Sequence, residues 1–291
     1  MTIGQWCGPG GAHDRPICWL RGPAGSGKSA IAQTIAEECD QNGDLAGSFF
    51  FSRGSPCRSD ITGFVPTIAY QLAISVPSIK DSMEGALHLD PSIPDQTCQH
   101  QFKKLIINPL LTLRDPVSPK VIVLDALDEC DGEGLIEGLI MLLAEAYKKD
   151  RLPLRFFLTS RTDVYIRELH ESSEVRSRIF FMALEEFDAR DDIRAFFETR
   201  FSTIYSRNYW GMRDVPALPS RSDLDRLVAK SSGLFILAST IVKFVNDGSD
   251  LPHLRLQTAL EINWSDGDQR AAASTSPQEV RSLFLRLQHL I

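Results

Sequence analysis

The chain has 291 residues, 43% of them hydrophobic, enough for one large α/β domain with a smaller appendage or for two modest domains. Its 31 Lys and Arg stand against 38 Asp and Glu, and the formal net charge of -7 opposes nonspecific attraction to nucleic acid or anionic lipid, so neither is an expected partner. The six cysteines, Cys7, Cys18, Cys39, Cys57, Cys98 and Cys130, form no C-x-x-C pair, have no histidines nearby at zinc-ligand spacing, and read as reduced thiols of a cytoplasmic protein.

Residues 1–16 lack the basic flank and apolar run of a signal peptide. The longest apolar stretch, Leu234 to Val245, is interrupted by Ser239, Thr240 and Lys243, so no membrane segment is expected. Apolar periodic segments begin almost at Met1 and still run at Ile291, which leads us to expect a piece of a longer protein or a truncated gene.

The first predicted strand, Ile17 to Arg21, leads into Gly22-Pro23-Ala24-Gly25-Ser26-Gly27-Lys28-Ser29 and then a predicted helix, Lys28 to Cys39. The eight residues fit G-x-x-x-x-G-K-[ST] in the strand-to-helix context that the motif needs. Glycines let backbone N–H groups converge on phosphate oxygens, and the helix start adds the positive end of its dipole. Lys28 is expected to reach the β- and γ-phosphates and the Ser29 hydroxyl to ligate Mg²⁺, with Ala30 completing the cradle. The bland alternative is a glycine-rich turn before a chance lysine; the flanking elements and an acidic strand downstream argue against it.

A second strand, Gly47 to Ser52, is followed by Arg53, which we read as a solvated surface cation ahead of a ligand. Helices are predicted over Gly63 to Ser75 and Phe102 to Leu113, with a Pro91- and Pro94-containing loop at Asp90 to Gln96. The third strand, Lys120 to Leu124, ends in Asp125, and Ala126-Leu127-Asp128-Glu129-Cys130 follows. An aspartate at the carboxyl end of a buried parallel strand points into the crevice where α/β sheets bind ligands, and Asp125 suits Mg²⁺ through water. Glu129 is the expected residue to polarise the attacking water, a role that Asp128 shares or takes. A helix is predicted over Leu135 to Lys149; Asp131 reads as the cap of a helix of about Gly132 to Lys149, and capping is also the bland alternative for Asp128 and Glu129. The fourth strand, Leu154 to Thr159, runs into Ser160-Arg161, and Arg161 is placed to sense a γ-phosphate.

After a fifth strand, Arg178 to Leu184, the strands stop. Asp188 to Tyr205, Asp223 to Ser231 and Leu234 to Asn246 show helical spacing, and the last reads as a core helix ahead of a binding element. The predicted divisions are a lead-in at 1–16, an α/β core at 17–184, a helical domain at 185–262 and a linker at 263–291.

Four segments, Trp19 to Glu37, Gly47 to Gly54, Val121 to Cys130 and Arg155 to Arg161, resemble the NACHT family of the signal-transduction (STAND) class of P-loop NTPases, close to the nephrocystin-like domains of filamentous fungi. The ending D-A-L-D-E-C is the most discriminating. The resemblance implies a three-layer sandwich with a parallel five-stranded sheet in order 5-1-4-3-2, then a small all-helical lid. In the family a Gly-Leu-Pro often touches the base; Phe235 stands in place of that proline, so the base contact does not carry over and ATP over GTP is only a preference. Family members continue into a winged-helix domain, whose start 263–291 could contain, and into sensor repeats, and they carry an effector upstream.

These readings converge on a switch: a nucleoside triphosphate and Mg²⁺ bind between core and lid, slow hydrolysis resets the state, and self-oligomerisation of the triphosphate form is the output within a larger signalling or innate-immunity receptor. The alternatives are a P-loop kinase-like phosphotransferase, for which no acceptor or arginine-lid signature is found, and a degenerate fragment that folds without hydrolysing nucleotide.

Overall fold

A computed structural model of the chain describes residues 3, 6, 15–55, 58, 63–113, 118–130, 135–150, 152–162, 173–208, 219–248 and 250–262. Cys7, Cys57, Asp131 and the expected linker at 263–291 lie outside them. The described residues group into two compact units, one of residues up to Arg21 with Lys28–Ala183, the other of Gly22–Gly27 with residues from Leu184 onward.

The first unit is built on a five-stranded sheet of β1 (Ile17–Arg21), β2 (Leu45–Phe50), β3 (Lys120–Asp125), β4 (Leu154–Ser160) and β5 (Ile179–Ala183). Every pairing is parallel and the order is β2-β3-β4-β1-β5, the order implied by the family resemblance read from the opposite edge. Among the described residues its helices are α1 (Lys28–Gln41), α2 (Phe64–Ser75), α3 (Lys80–Leu89), α4 (98–111), α5 (Leu135–Asp150) and α6 (Ser173–Arg178).

Alternation along the strands produces the layers. Ile17 and Trp19 of β1, Ile122 and Leu124 of β3, and Phe156 and Leu158 of β4 share one core with Phe64 and Ile68 of α2 and Leu139 and Leu143 of α5. Their neighbours Cys18, Leu20, Val121, Val123 and Phe157 are buried on the opposite face, where α1 packs across β2, β3 and β4. A strand buried on both faces has to be apolar at nearly every position, which is why its sequence shows no alternation. Trp6 joins this unit: it is fully buried, its indole N–H donates to the Arg15 carbonyl at 2.9 Å, and its own carbonyl accepts from Arg155 Nη1 at 2.7 Å. None of the described cysteines is in a disulfide; burial pushes the Cys18 thiol up to about 12, which makes it inert at neutral pH.

α4 begins at Cys98–Phe102, widens into a π-helical stretch at Lys103–Ile107 and ends as Asn108–Leu111. Pro109 explains the widening. It has no N–H, and its ring would meet the carbonyl four residues back, so the chain takes the wider turn in which Asn108 N–H bonds to the Lys103 carbonyl. The helix starts earlier than the predicted Phe102 because Thr97 caps it, its Oγ1 accepting from His100 N–H. α3 was not expected from the sequence. It buries only Met83 and so carries no apolar stripe to read.

β2 is an edge strand, and its exposed side is closed by a side chain. Gln71 of α2 accepts from Ser48 N–H at 2.6 Å and donates to the Ser48 carbonyl at 3.2 Å, imitating a neighbouring strand. Gly47 makes room for it, since a Cβ there would lie 2.8 Å from Gln71 Oε1.

The second unit holds α7 (Arg190–Arg207), α8 (Arg221–Ser231), α9 (Phe235–Val245) and α10 (Pro252–Glu261). Ile193, Phe197, Phe201 and Ile204 line α7 at helical spacing and meet Leu227, Ile241 and Leu256 in a separate core. α8 starts two residues before the predicted Asp223 because Ser220 and Asp223 form a capping box, with Asp223 as its third residue. Arg255 of α10 lies 4.0 Å above the Phe244 ring and donates through Nε to the Phe244 carbonyl at 2.7 Å. No described helix is long and apolar enough to cross a membrane.

Replacing Gln71 with Leu leaves both Ser48 backbone groups without their partner. The expected loss is about 1–3 kcal/mol, seen as a lower urea midpoint at unchanged slope. Gln33→Leu, which removes only an exposed bond to Glu37, should shift stability by less than about 0.5 kcal/mol.

Candidate nucleotide-binding site

In a parallel sheet all carboxyl ends emerge on one edge, and the register decides which residues meet there. Arg21 is level with Ser160, Leu124 with Leu158, and Phe50 with Asp125. The phosphate loop therefore leaves β1, Arg161 leaves β4 and the acidic turn leaves β3 on the same side.

The loop Gly22–Gly27 turns through Gly25 at φ 73° and Gly27 at φ 100°. These values suit glycine, and at Gly25 space also excludes anything larger, since a Cβ there would lie 2.2 Å from Ile236 Cγ2; one on Gly27 would lie 3.3 Å from Phe235 Cδ2, a tight contact. Within the loop, Ser26 Oγ donates to the Pro23 carbonyl at 2.9 Å. The Gly25 carbonyl accepts from Ile236 N–H at 3.0 Å, which satisfies one of the N–H groups that the first turn of α9 leaves open. Phe235 is also held by an edge contact with Phe196, 6.1 Å between centroids. α9 thus has two jobs: Leu237, Ala238 and Ile241 fill the helical core, and its first turn supports the loop. Its apolar spacing by itself predicts only the core role.

Lys28 and Ser29 open α1, with Lys28 half-buried and Ser29 and Ala30 exposed. A hydroxyl at the start of this helix and a carboxylate at the end of β3 are hard oxygen donors of the type that Mg²⁺ takes when it keeps waters and phosphate oxygens as its other ligands. A glycine loop leading directly into Lys28 and Ser29 suits a phosphate, and this donor set suits Mg²⁺.

Asp125 is 3% exposed, and its Oδ1 accepts from Thr159 Oγ1 at 2.5 Å. The same hydroxyl accepts from Ala126 N–H at 2.9 Å, so Thr159 ties the carboxylate to the turn that follows it. Ala126 is left-handed, at φ 57°, which costs a non-glycine residue about 1 kcal/mol and starts the short helical turn Leu127–Glu129. Leu127 anchors that turn in the core, and Asp128 and Glu129 take partners that follow different strands. Asp128 Oδ1 accepts from Arg161 N–H at 2.9 Å and its Oδ2 lies 3.1 Å from Arg161 Nε; the Asp128 side chain is 7% exposed and that of Arg161 37%. Glu129 Oε2 accepts from Arg53 N–H at 3.2 Å, while Arg53 Nη2 donates to the Asp128 carbonyl at 2.6 Å.

The structure therefore pairs Asp128 with Arg161, residues that the sequence suggested for separate tasks. It also reveals two participants that sequence reasoning passed over. Thr159 was visible only as a polar end to an apolar strand. Arg53 was weighed as a solvated cation, and although exposed it contacts the acidic turn twice.

A parallel sheet in this order, with G-x-x-x-x-G-K-S between β1 and α1 and an aspartate ending β3, defines the α/β fold of the P-loop NTPases. A family model described as "Nephrocystin 3, N-terminal" matches residues 2–161, more than half of the chain, and the chain belongs to that family. It is also similar to the ATPase family AAA domain-containing protein 2 of Pongo abelii and of Homo sapiens. Each is 29% identical over 123 residues, 39% of this chain, and the match covers 11% and 8% of those proteins respectively. Among solved structures, Drosophila ORC bound to DNA aligns over 86% of this chain and 64% of that one, with 14% identity and a TM-score of 0.49. The E. coli MS115-1 HORMA:CdnC:Trip13 complex aligns over 87% and 76%, with 13% identity and a TM-score of 0.35. The sheet order and loop define the fold without these two likenesses.

Gly25→Ala introduces both a left-handed alanine and an overlap with Ile236. Gly43→Ala introduces only the first, since Gly43 has φ 72° and nothing within 4 Å of its added Cβ. Thermal unfolding should show a loss of about 1 kcal/mol for Gly43→Ala and a further 1–3 kcal/mol, roughly, for Gly25→Ala. Equal losses would mean that Ile236 does not press on the loop.

Proposed function

We propose that this chain is the nucleotide-binding switch module of a NACHT-type STAND protein, taking ATP in preference to GTP and hydrolysing it slowly with Mg²⁺. The observation that carries the reading is the convergence, on one sheet edge, of the phosphate loop, Asp125 and a turn whose two carboxylates have different partners. The ATPase relatives support hydrolysis as the chemistry.

In this reading the backbone of Gly22–Gly27 and Lys28 bind the phosphates, and Ser29 and Asp125 would hold Mg²⁺, whose charge offsets that of the β- and γ-oxygens. Thr159 fixes the Asp125 carboxylate. Glu129 is the residue to accept a proton from the attacking water as its oxygen bonds to the γ-phosphorus and the bond to the departing diphosphate breaks. Asp128 is engaged by Arg161 through both carboxylate oxygens and is the less accessible of the two to an attacking water. Arg161 in turn senses the γ-phosphate, with Asp128 as the partner to which it returns after hydrolysis. Oligomerisation of the triphosphate form, an upstream effector and downstream sensor repeats belong to the same proposal.

Calorimetric titration with ATP and with GTP, each with Mg²⁺, tests the binding. Lys28→Ala should weaken it by about 10- to 100-fold, the loss of charge-assisted bonds to phosphate. Absence of binding by the wild type would reject the reading, and rapid transfer to an acceptor other than water would replace the switch with a phosphotransferase. Glu129→Gln should keep nucleotide affinity within about twofold and slow hydrolysis by about 10²- to 10⁴-fold. Parallel loss of both would assign Glu129 a structural role instead.

A further inference from the structure

We infer that Arg53 is a positioning residue that holds Glu129 in place by gripping the main chain of Asp128; the inference rests on the hydrolytic role proposed for Glu129. The β2–β3 ladder continues past the last strand residue, with Phe51 N–H donating to the Asp125 carbonyl at 3.0 Å. The chain leaving β2 is therefore carried alongside the turn that leaves β3. It is stiffened there by its own bonds: Ser55 N–H donates to the Ser52 carbonyl at 3.0 Å and Ser52 N–H to the Arg58 carbonyl at 3.1 Å. The backbone of Arg53 is thus a fixed donor, and Glu129 Oε2 accepts from it.

The guanidinium has a different target. Within the turn, Glu129 N–H bonds to the Ala126 carbonyl and Cys130 N–H to the Leu127 carbonyl. The next carbonyl in the series, that of Asp128, is used by Arg53 Nη2 at 2.6 Å. This is the kind of acceptor that a helical turn leaves open at its end. The Asp128 carboxylate is meanwhile bound by Arg161 from β4. An arginine following each of the strands that flank β3 therefore grips the same residue, one by its carbonyl and the other by its carboxylate. Glu129 is the next residue along, so its backbone is fixed from both sides.

Arg53 is exposed, so its charge does little for Glu129 through solvent. Its effect is geometric. Without the guanidinium, water replaces the donor to the Asp128 carbonyl, the turn gains freedom, and Glu129 spends less time at its post. A small displacement of a catalytic group lowers the rate without touching nucleotide affinity.

The test uses the full chain with ATP and Mg²⁺, measuring affinity by calorimetry and hydrolysis by single-turnover phosphate release. Arg53→Ala should lower the hydrolysis rate about tenfold with Kd within about twofold. Arg53→Lys, which keeps a donor within reach of the carbonyl, should recover part of that loss. The Arg53→Ala, Glu129→Gln double variant should be no slower than Glu129→Gln alone, because Arg53 acts through Glu129. The inference is overturned if Arg53→Ala hydrolyses at the wild-type rate, if its factor persists in the Glu129→Gln background, or if affinity falls with rate. A Glu129→Gln variant as fast as wild type would instead remove the reading of Glu129 on which this one stands. Matching melting temperatures for Arg53→Ala and wild type keep a folding defect out of the comparison.

Discussion

A buried parallel sheet gives its strands no choice about where they end: their carboxyl termini emerge on one edge, and neighbours in the sheet become neighbours at that edge. In this chain β3 lies between β2 and β4, and β4 lies between β3 and β1. The acidic turn after β3 is therefore flanked by the residues that leave β2 and β4, and the phosphate loop begins one strand further on. Moving β3 to an edge of the sheet would leave every motif intact and part the acidic turn from one of the two arginines that hold it.

The buried carboxylate of Asp125 is the point at which this arrangement is most demanding. A charge taken out of water has to be hydrogen-bonded, and Thr159 from the adjacent strand meets that requirement while also receiving the Ala126 N–H. The left-handed turn at Ala126 is stabilised by the same hydroxyl. Beyond it, Asp128 and Glu129 are divided between arginines on opposite sides, so two neighbouring carboxylates acquire different surroundings. In the function we propose, that division leaves Asp128 as a structural and sensing partner and Glu129 as the residue that acts on water.

The helical unit shows a second constraint, close backbone approach. The first turn of α9 donates Ile236 N–H to the Gly25 carbonyl, and the Ile236 side chain occupies the space that a Cβ on Gly25 would need. Glycine at this position answers to the backbone angle and to the helix together. The phosphate loop is thereby tied to a helix whose other residues form a hydrophobic core.

The amino-acid sequence by itself determined the elements whose burial is periodic and local. α1, α2 and the three longer helices of the second unit were legible because apolar residues recur at helical spacing, and the five strands because they are short runs apolar at nearly every position. The phosphate loop was legible because its glycines and lysine are contiguous. Boundaries shifted where a side chain made a local bond, as at Thr97 and Ser220, and α3 escaped because it buries too little to leave a pattern. The pairing of Arg161 with Asp128, the two contacts of Arg53, the bridge through Thr159 and the seat of Gly25 against Ile236 were decided by tertiary structure alone. Each joins residues far apart in the chain, and whether such residues meet depends on strand order and register, quantities that no local period encodes.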